Sequence, residues 1–149
     1  MPSTTDFLTS IRCIVKLQEN MLKAICEKYR LSLIEAKIIS FLYNHPEKDT
    51  AADIVEFRML SKGNVSQAVE TLIQKSLLTR QQDTADRRKA HLSLLPKANP
   101  ITQEIKAMQK EFHREIFFKL SAEDQQQFTN IIEKIKNNAQ NAIKRRETL

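Results

Sequence analysis

The chain has 149 residues, of which 41% are hydrophobic and 28% charged, and its formal net charge is +6 at pH 7. This balance predicts a folded, moderately basic chain and excludes global disorder. With one glycine, two cysteines and no apolar run near the roughly 18 residues of a membrane span, the sequence excludes glycine-rich phosphate loops, disulfide frameworks and transmembrane proteins. We therefore expect a reduced, cytoplasmic protein that makes no membrane contact.

The first part of the chain predicts two helices. Residues 5–28 carry apolar side chains at helical spacing, which indicates a long helix with one apolar stripe. Ser32 and Glu35 have the spacing of a capping box, in which each side chain accepts the other residue's amide. The helix that they start is apolar over nearly half its circumference, so we expect it in the core, ending at Asn44-His45-Pro46.

Two shorter amphipathic helices follow. Thr50 and Ser61 are the predicted N-caps, and the second of these helices covers residues 62–75. It turns Val65, Val69 and Leu72 to one side. Two such helices separated by about three residues are typical of a helix-turn-helix.

After these two helices, the spacing of apolar residues changes from a helical period to a period of two. Residues 77–82 and 89–94 are short runs, and in the second run apolar and polar residues alternate. The polar segment 83–88 separates them, so the pattern predicts a two-stranded β-hairpin. A hairpin directly after a helix-turn-helix is the wing of a winged helix.

Two more helices are predicted at the end, over residues 99–146. Pro100 is acceptable only in a first turn, which places the start of the first helix near Asn99, and its apolar stripe runs from Ile101 to Leu120. Ser121 caps the second helix. The apolar stripes of 5–28 and 99–146 could pack on their own domain, but stripes of this length favour a homodimer interface.

The fold class that follows is mainly α: a winged helix-turn-helix over residues 32–95, flanked by N- and C-terminal dimerisation helices, in one domain of residues 1–149. At this point the sequence resembles the MarR (multiple antibiotic resistance regulator) family, most specifically over residues 60–94. Asp86 and Arg88 match the family's Asp-x-Arg wing signature. Two departures are visible: Ser76 stands where the family commonly has glycine, and residues 94–98 replace a Leu-Thr pair and a following glycine.

The predicted DNA-contacting surface is located by Val65, Val69 and Leu72, because these residues are expected to face the core. The opposite, polar face of that helix, which also carries Glu70, is the predicted site for bases and phosphates in the major groove. Its residues are Lys62, Gly63, Asn64, Ser66, Gln67 and Thr71. In the wing, Arg88 is the predicted contact beside or within the minor groove, and the resemblance implies that Asp86 holds it by a paired hydrogen bond. Arg87 and Lys89 are predicted phosphate contacts.

The resemblance implies a homodimeric repressor of double-stranded DNA, whose affinity changes with a small-molecule effector bound near the junction of the dimer helices and the winged helix. An adaptor that uses the winged helix for protein contacts remains the alternative.

Cys13 is a possible redox sensor, although cysteines in such helices are more often buried hydrophobes. Helical spacing keeps Cys13 and Cys26 too far apart to form a disulfide. His45, His91 and His113 lack metal-ligand spacing, and no catalytic motif is present, so we expect no metal, no cofactor and no enzyme.

Overall fold

The computed structural model describes residues 2–148, which form six α-helices, one short 3-10 helix and two β-strands. The 3-10 helix covers Pro96–Ala98. The other elements are α1 (Thr4–Tyr29), α2 (Leu33–Asn44), α3 (Ala51–Arg58), α4 (Lys62–Gln74), β1 (Leu78–Gln82), β2 (Ala90–Leu94), α5 (Asn99–Ile116) and α6 (Ala122–Glu147). The predicted architecture, mainly α with a helix-turn-helix and a two-stranded hairpin, is confirmed. None of the helices over the described residues is long and apolar enough to cross a membrane.

Side-chain caps fix where several helices begin. The Ser61 hydroxyl accepts the Asn64 amide at 3.2 Å, and Thr50 forms a reciprocal capping box with Asp53. The predicted box at Ser32 is only half correct. Ser32 Oγ accepts the Glu35 amide at 3.1 Å, but Glu35 Oε2 accepts the Ser32 hydroxyl at 2.9 Å instead of its backbone amide. The carboxylate is drawn away because its other oxygen accepts from Lys75.

The core lies within the first of two compact units, which ends at Phe112. Its fully buried residues come from successive elements at the spacing that each element's period dictates. Among them are Leu22 of α1, Ile38 and Ile39 of α2, Ile54 of α3, Val65 and Leu72 of α4, Leu78 of β1 and Ile105 of α5. The first half of α1 does not contribute to this core: its apolar residues Phe7, Leu8, Ile11, Ile14 and Val15 are exposed.

The second unit runs from His113 and contains α6. Phe117 and Phe128 pack edge to face with ring centroids 5.6 Å apart. No described residue of α6 is buried, and Phe128, Ile131, Ile132, Ile135 and Ile143 form an exposed apolar stripe. The prediction that the α5 stripe continues to Leu120 is wrong, because α5 ends at Ile116 and Lys119 takes a left-handed backbone conformation with φ of 64°.

The hairpin is antiparallel, with Leu78 opposite Leu94 and Gln82 opposite Ala90. Its two ends differ in burial, because Leu78 and Leu92 lie in the core whereas residues 84, 85 and 87–89 of the connecting loop are exposed. The Leu92 amide also donates to the Asp49 carbonyl at 2.8 Å, so β2 is attached to the segment before α3. The wing therefore projects from a fixed base.

Both departures from the family pattern have a structural outcome. Ser76 takes the left-handed conformation that glycine usually supplies, with φ of 61°, and the Leu77 amide closes the end of α4 on the Leu72 carbonyl at 3.0 Å. Residues 96–98 form the 3-10 helix, which leads directly into α5 at Asn99 as predicted.

We expect the substitution Ser76→Gly to stabilise the protein. A left-handed backbone costs an L-residue roughly 1–2 kcal/mol, and glycine's greater freedom in the unfolded chain offsets part of that, which leaves a gain of about 0.5–1 kcal/mol. Urea denaturation at fixed protein concentration measures the change. The matched control is Ser66→Gly, an exposed serine in the ordinary helical conformation of α4, which should lose about 0.5 kcal/mol. A loss of stability in Ser76→Gly would contradict this account of the helix end.

Candidate nucleic-acid interface

Helix α4 has one buried and one exposed face. Val65, Ala68, Val69 and Leu72 are at most 6% exposed. The predicted reading residues lie on the other side, and five of them are exposed: Lys62, Gly63, Asn64, Ser66 and Gln67. Thr71 is half-buried, and its hydroxyl donates to the Gln67 carbonyl at 3.1 Å. The exposed residues thus form one continuous polar surface, which we call the α4 face.

The single glycine of the chain lies at the first turn of this helix. A Cβ built on Gly63 would meet no atom of the protein within 4 Å. Its backbone also does not take a positive φ. The fold of this chain therefore does not require glycine at position 63.

The wing loop, residues 83–89, is braced by its own carboxylates. Asp83 Oδ1 accepts the amides of Ala85 at 2.7 Å and Asp86 at 2.8 Å. Asp86 Oδ1 in turn accepts both the backbone amide of Arg88 at 3.0 Å and its Nε at 3.3 Å. The Arg88 side chain is 92% exposed, and Arg87 and Lys89 are exposed beside it. The loop therefore presents three cations to solvent from a hydrogen-bonded frame.

A histidine at the base of the wing, which the sequence analysis did not single out for the site, bridges two carboxylates. His91 Nδ1 lies 2.8 Å from Asp49 Oδ1, and Nε2 lies 2.7 Å from Asp83 Oδ2. The hydrogen bond to Asp49, followed by that to Asp83, raises the pKa of His91 above its ordinary value. The hydrogen bond from His91 contributes most to lowering the pKa of Asp83 to about 2. Asp49 lies 42 residues away along the chain, so no local sequence pattern indicates this pairing.

A small cleft joins the α4 face to the wing. Its volume is about 260 Å³, and its lining comes from the start of α3, from α4 and from the hairpin. Of the predicted site residues it brings together Ser66, Arg88 and Lys89. The other predicted site residues do not line it: Lys62, Gly63, Asn64, Gln67, Thr71, Asp86 and Arg87. Arg80 of β1, which sequence reasoning missed, forms an ion pair with Glu70 of α4 across this cleft.

The other end of α4 is tied to the junction of α1 and α2. Lys75 Nζ lies 2.7 Å from Glu35 Oε1 and 2.7 Å from the Arg30 carbonyl oxygen. Glu35 is only 7% exposed, so its charge depends on these partners. Beside Arg30 lies a cavity of about 850 Å³, lined by α1, by the turn after it and by the first residue of α2. Its walls carry cations, apolar side chains and the carboxylates of Glu19 and Glu27. We call it the α1–α2 cavity.

The two cysteines differ in environment. Cys13 is exposed and Cys26 is buried, and both are free thiols. Burial, with a smaller contribution from the Glu35 charge, raises the pKa of the Cys26 thiol. Over residues 2–148, no group of three histidine, cysteine or acidic side chains is arranged to hold a metal ion.

Comparison with known proteins agrees with this geometry. A model of the MarR family matches residues 31–89, which contain α2, α3, α4, β1 and the whole wing loop.

Solved structures share the fold over most of the chain. A MarR transcriptional regulator from Methanosarcina mazei Go1 is 18% identical with a TM-score of 0.79, and the match covers 93% of this chain and 99% of that one. S. aureus MepR in its complex with DNA is 20% identical with a TM-score of 0.73, and the match covers 92% of this chain and 99% of MepR. The DNA binding of Bordetella bronchiseptica BpsR is regulated by 6-hydroxynicotinic acid. BpsR is 17% identical with a TM-score of 0.69, and the match covers 88% of this chain and 98% of BpsR. Over residues 31–89 the chain is therefore similar to the MarR family, and it shares its fold with these solved MarR-type regulators.

Proposed function

We propose that the chain is a sequence-specific regulator of transcription that binds double-stranded DNA as a homodimer. The observation that carries this proposal is the cleft at which an exposed polar helix face and an exposed cationic loop meet. A helix face of this kind fits the major groove, and cations beside it neutralise the flanking phosphates. The solved complex of MepR with DNA, which has the same fold, supports the proposal.

Base reading is assigned to the α4 face. The carboxamides of Asn64 and Gln67 can pair bidentately with adenine, and Lys62 can contact guanine or phosphate. Ser66 and Thr71 are smaller polar groups on the same side of the helix. Gly63, near the free amides of the helix start, allows the backbone to approach a phosphate closely.

Strand contact is assigned to the wing. Arg88 is the proposed contact in or beside the minor groove, and Asp86 restrains it through the two hydrogen bonds described above. Arg87 and Lys89 are proposed to contact phosphates. The Glu70–Arg80 ion pair offsets the one negative charge of α4 that would otherwise face DNA.

Dimerisation is assigned to α1 and to residues 99–146, with residues 32–95 as the DNA-binding part. Each of α1 and α6 carries an exposed apolar stripe, and exposed stripes of this length indicate association. A twofold dimer places two copies of α4 in successive major grooves about 34 Å apart, which requires a near-palindromic operator.

Repression with ligand control completes the proposal. The α1–α2 cavity is large enough for a small-molecule effector, and Arg30, one of its lining residues, accepts a hydrogen bond from Lys75 at the end of α4. An effector that shifts Arg30 therefore acts on the reading helix. The regulation of BpsR by 6-hydroxynicotinic acid is a precedent in a protein of the same fold. Redox control through the exposed Cys13 is the alternative mode of regulation.

Selection of bound duplexes from a random DNA pool tests binding, palindromy and half-site spacing together. For a selected duplex, we expect affinity to fall steeply with salt, because released counterions drive binding to phosphates. A protein-binding adaptor, the alternative function, enriches no duplex and shows no such salt dependence.

Variants of the two contact surfaces should fail in different ways on the selected duplex. Gln67→Ala and Asn64→Ala each remove a base contact, so discrimination against mismatched sites should fall by about 1–3 kcal/mol. Arg88→Ala should weaken binding to selected and random duplexes alike and lower the salt slope. Competition titrations against matched and mismatched duplexes measure both effects. Unchanged discrimination and affinity in all three variants would remove the proposed surface.

Gly63→Ala should change stability and DNA affinity in opposite directions. Alanine favours a helix interior over glycine by about 1 kcal/mol and a first turn by less, and the added methyl group meets no protein atom, so the free protein becomes slightly more stable. The same methyl group lies between the backbone and the proposed phosphate, so affinity should fall. Thermal unfolding and a DNA titration measure the pair of effects. Gln74→Ala, an exposed substitution at the far end of α4, is the control that should leave affinity unchanged.

Ile14→Glu should dissociate the proposed dimer, because it places a carboxylate in the exposed apolar stripe of α1. Sedimentation velocity over a range of concentrations measures the shift from dimer to monomer. Thr9→Glu, which puts the same charge on the opposite side of α1, should stay dimeric. Equal sedimentation of the two variants would argue against a role for this stripe.

A further inference from the structure

We propose that His91 is a positioning residue for DNA binding: as an imidazolium, it clamps the wing loop to the segment before α3 and so fixes where Arg88 meets DNA. This inference rests on the proposed function, since the contact that it positions is the DNA contact of the wing. It adds a residue that lies outside the surface that touches DNA. It also gives the contact a dependence on pH.

The geometry requires both ring nitrogens to donate. His91 Nδ1 lies 2.8 Å from Asp49 Oδ1 and Nε2 lies 2.7 Å from Asp83 Oδ2. A neutral imidazole carries one N–H and one lone pair, so it can donate only one of these hydrogen bonds. Its lone pair would then point at a carboxylate at a distance that only a hydrogen bond makes favourable. With both carboxylates ionised, the two contacts together therefore require the doubly protonated ring.

The two carboxylates belong to different parts of the molecule. Asp49 precedes α3, and its backbone carbonyl accepts the Leu92 amide at 2.8 Å, which holds it beside β2. Asp83 is the first residue of the wing loop. The charged groups that face the ring are these two, and across the strand pair His91 lies opposite the neutral Gln81. The ring thus connects the loop to the body of the winged helix.

From Asp83 the connection continues to the arginine. The Asp83 oxygen that does not bind His91 accepts the Asp86 amide, and Asp86 accepts the amide and the Nε of Arg88. Each step is a hydrogen bond of 3.3 Å or less. Losing the His91–Asp83 contact therefore loosens the frame that places Arg88.

The sign of the pH effect follows from the two shifted groups. The pKa of His91 is raised, so the clamp is complete below the ordinary histidine value and is lost as pH rises through the raised value. The pKa of Asp83 is lowered to about 2, so its carboxylate becomes protonated, and the contact is lost, only in strong acid. DNA affinity should accordingly be highest in the acidic to neutral range and fall towards alkaline pH.

The first experiment does not involve DNA. Nitrogen-15 NMR of the imidazoles in the full-length protein follows the protonation of all three histidines, and His91→Gln identifies the His91 signals. We expect both His91 nitrogens to stay protonated beyond the ordinary midpoint of about 6.5. A His91 midpoint at or below that value overturns the clamp. Trypsin cleavage after Arg87 and Arg88 is the second readout: it should be faster in His91→Gln than in the wild type, and equal rates overturn the proposal.

The second experiment uses a selected duplex from about pH 6 to about pH 9, which spans the titration of histidine. We expect His91→Gln to bind about threefold to tenfold more weakly than the wild type at the acid end, and to lose most of the wild-type pH dependence. Asp49→Asn keeps an oxygen acceptor but removes a charge, so it should bind normally at the acid end and lose affinity at a lower pH than the wild type. His45→Gln, which changes a histidine outside the wing, should keep the wild-type profile.

The outcomes separate the two proposals. If the wild type binds no duplex, the proposed function fails, and the NMR and trypsin measurements still decide the clamp. If the wild type binds duplex DNA but His91→Gln has the same affinity and the same pH profile, DNA binding stands and the positioning role of His91 is wrong.

Discussion

The burial of one face of α4 is the constraint on which the rest of the molecule depends. Val65 and Leu72 are completely buried against a core to which α2 and α3 also contribute. Each such side chain contributes on the order of 1.5–3 kcal/mol when it is removed from water, so rotation of the helix about its own axis is not tolerated. Because side chains in a helix follow each other at a fixed angle, fixing the inward residues also fixes the outward ones. The α4 face is therefore set by hydrophobic packing that the reading residues do not share.

The ends of α4 are held by polar groups of different strength. At its start, Ser61 caps the helix with one exposed hydrogen bond. At its end, Lys75 binds the buried Glu35 and the carbonyl of Arg30, where removal of either charge would leave the other desolvated without compensation. The stronger attachment thus lies at the end remote from the predicted base contacts. The reading helix is consequently coupled to the α1–α2 junction more tightly than to solvent-exposed structure at its start.

The sequence was sufficient for features that depend on neighbours along the chain. Helical spacing and the caps at Thr50, Ser61 and Ser121 placed the element boundaries within one or two residues, except at the end of α5, and Ser76 showed the left-handed conformation that its position required. Features set by distant contacts were missed or misread. Glu35 leaves its capping role because Lys75, 40 residues on, competes for the carboxylate, and the His91–Asp49 pair spans a similar separation. Arg80 was missed because, although strand alternation puts it on the same face as Leu78, its ion-pair partner lies on α4 and no local pattern indicates that contact. The roles of individual residues in binding DNA remain predictions for the same reason, because they depend on contacts with a DNA duplex, which neither the sequence nor the fold contains.

The arrangement of charge explains how acidic residues can lie on a surface proposed to meet a polyanion. At physiological salt, exposed charges are screened over about 8 Å, so the local sum matters more than the net charge of +6. Glu70, Asp83 and Asp86 would each repel phosphates, but each is hydrogen-bonded or ion-paired to a cationic side chain: Arg80, His91 and Arg88 respectively. Each pairing reduces the repulsion between the carboxylate and the phosphates, and it also orients the cationic side chain. Two of these partners are arginines, which are charged at any physiological pH, whereas His91 is charged only when protonated. The balance of charge at the wing base therefore changes with pH, whereas the two arginine pairs keep their charges.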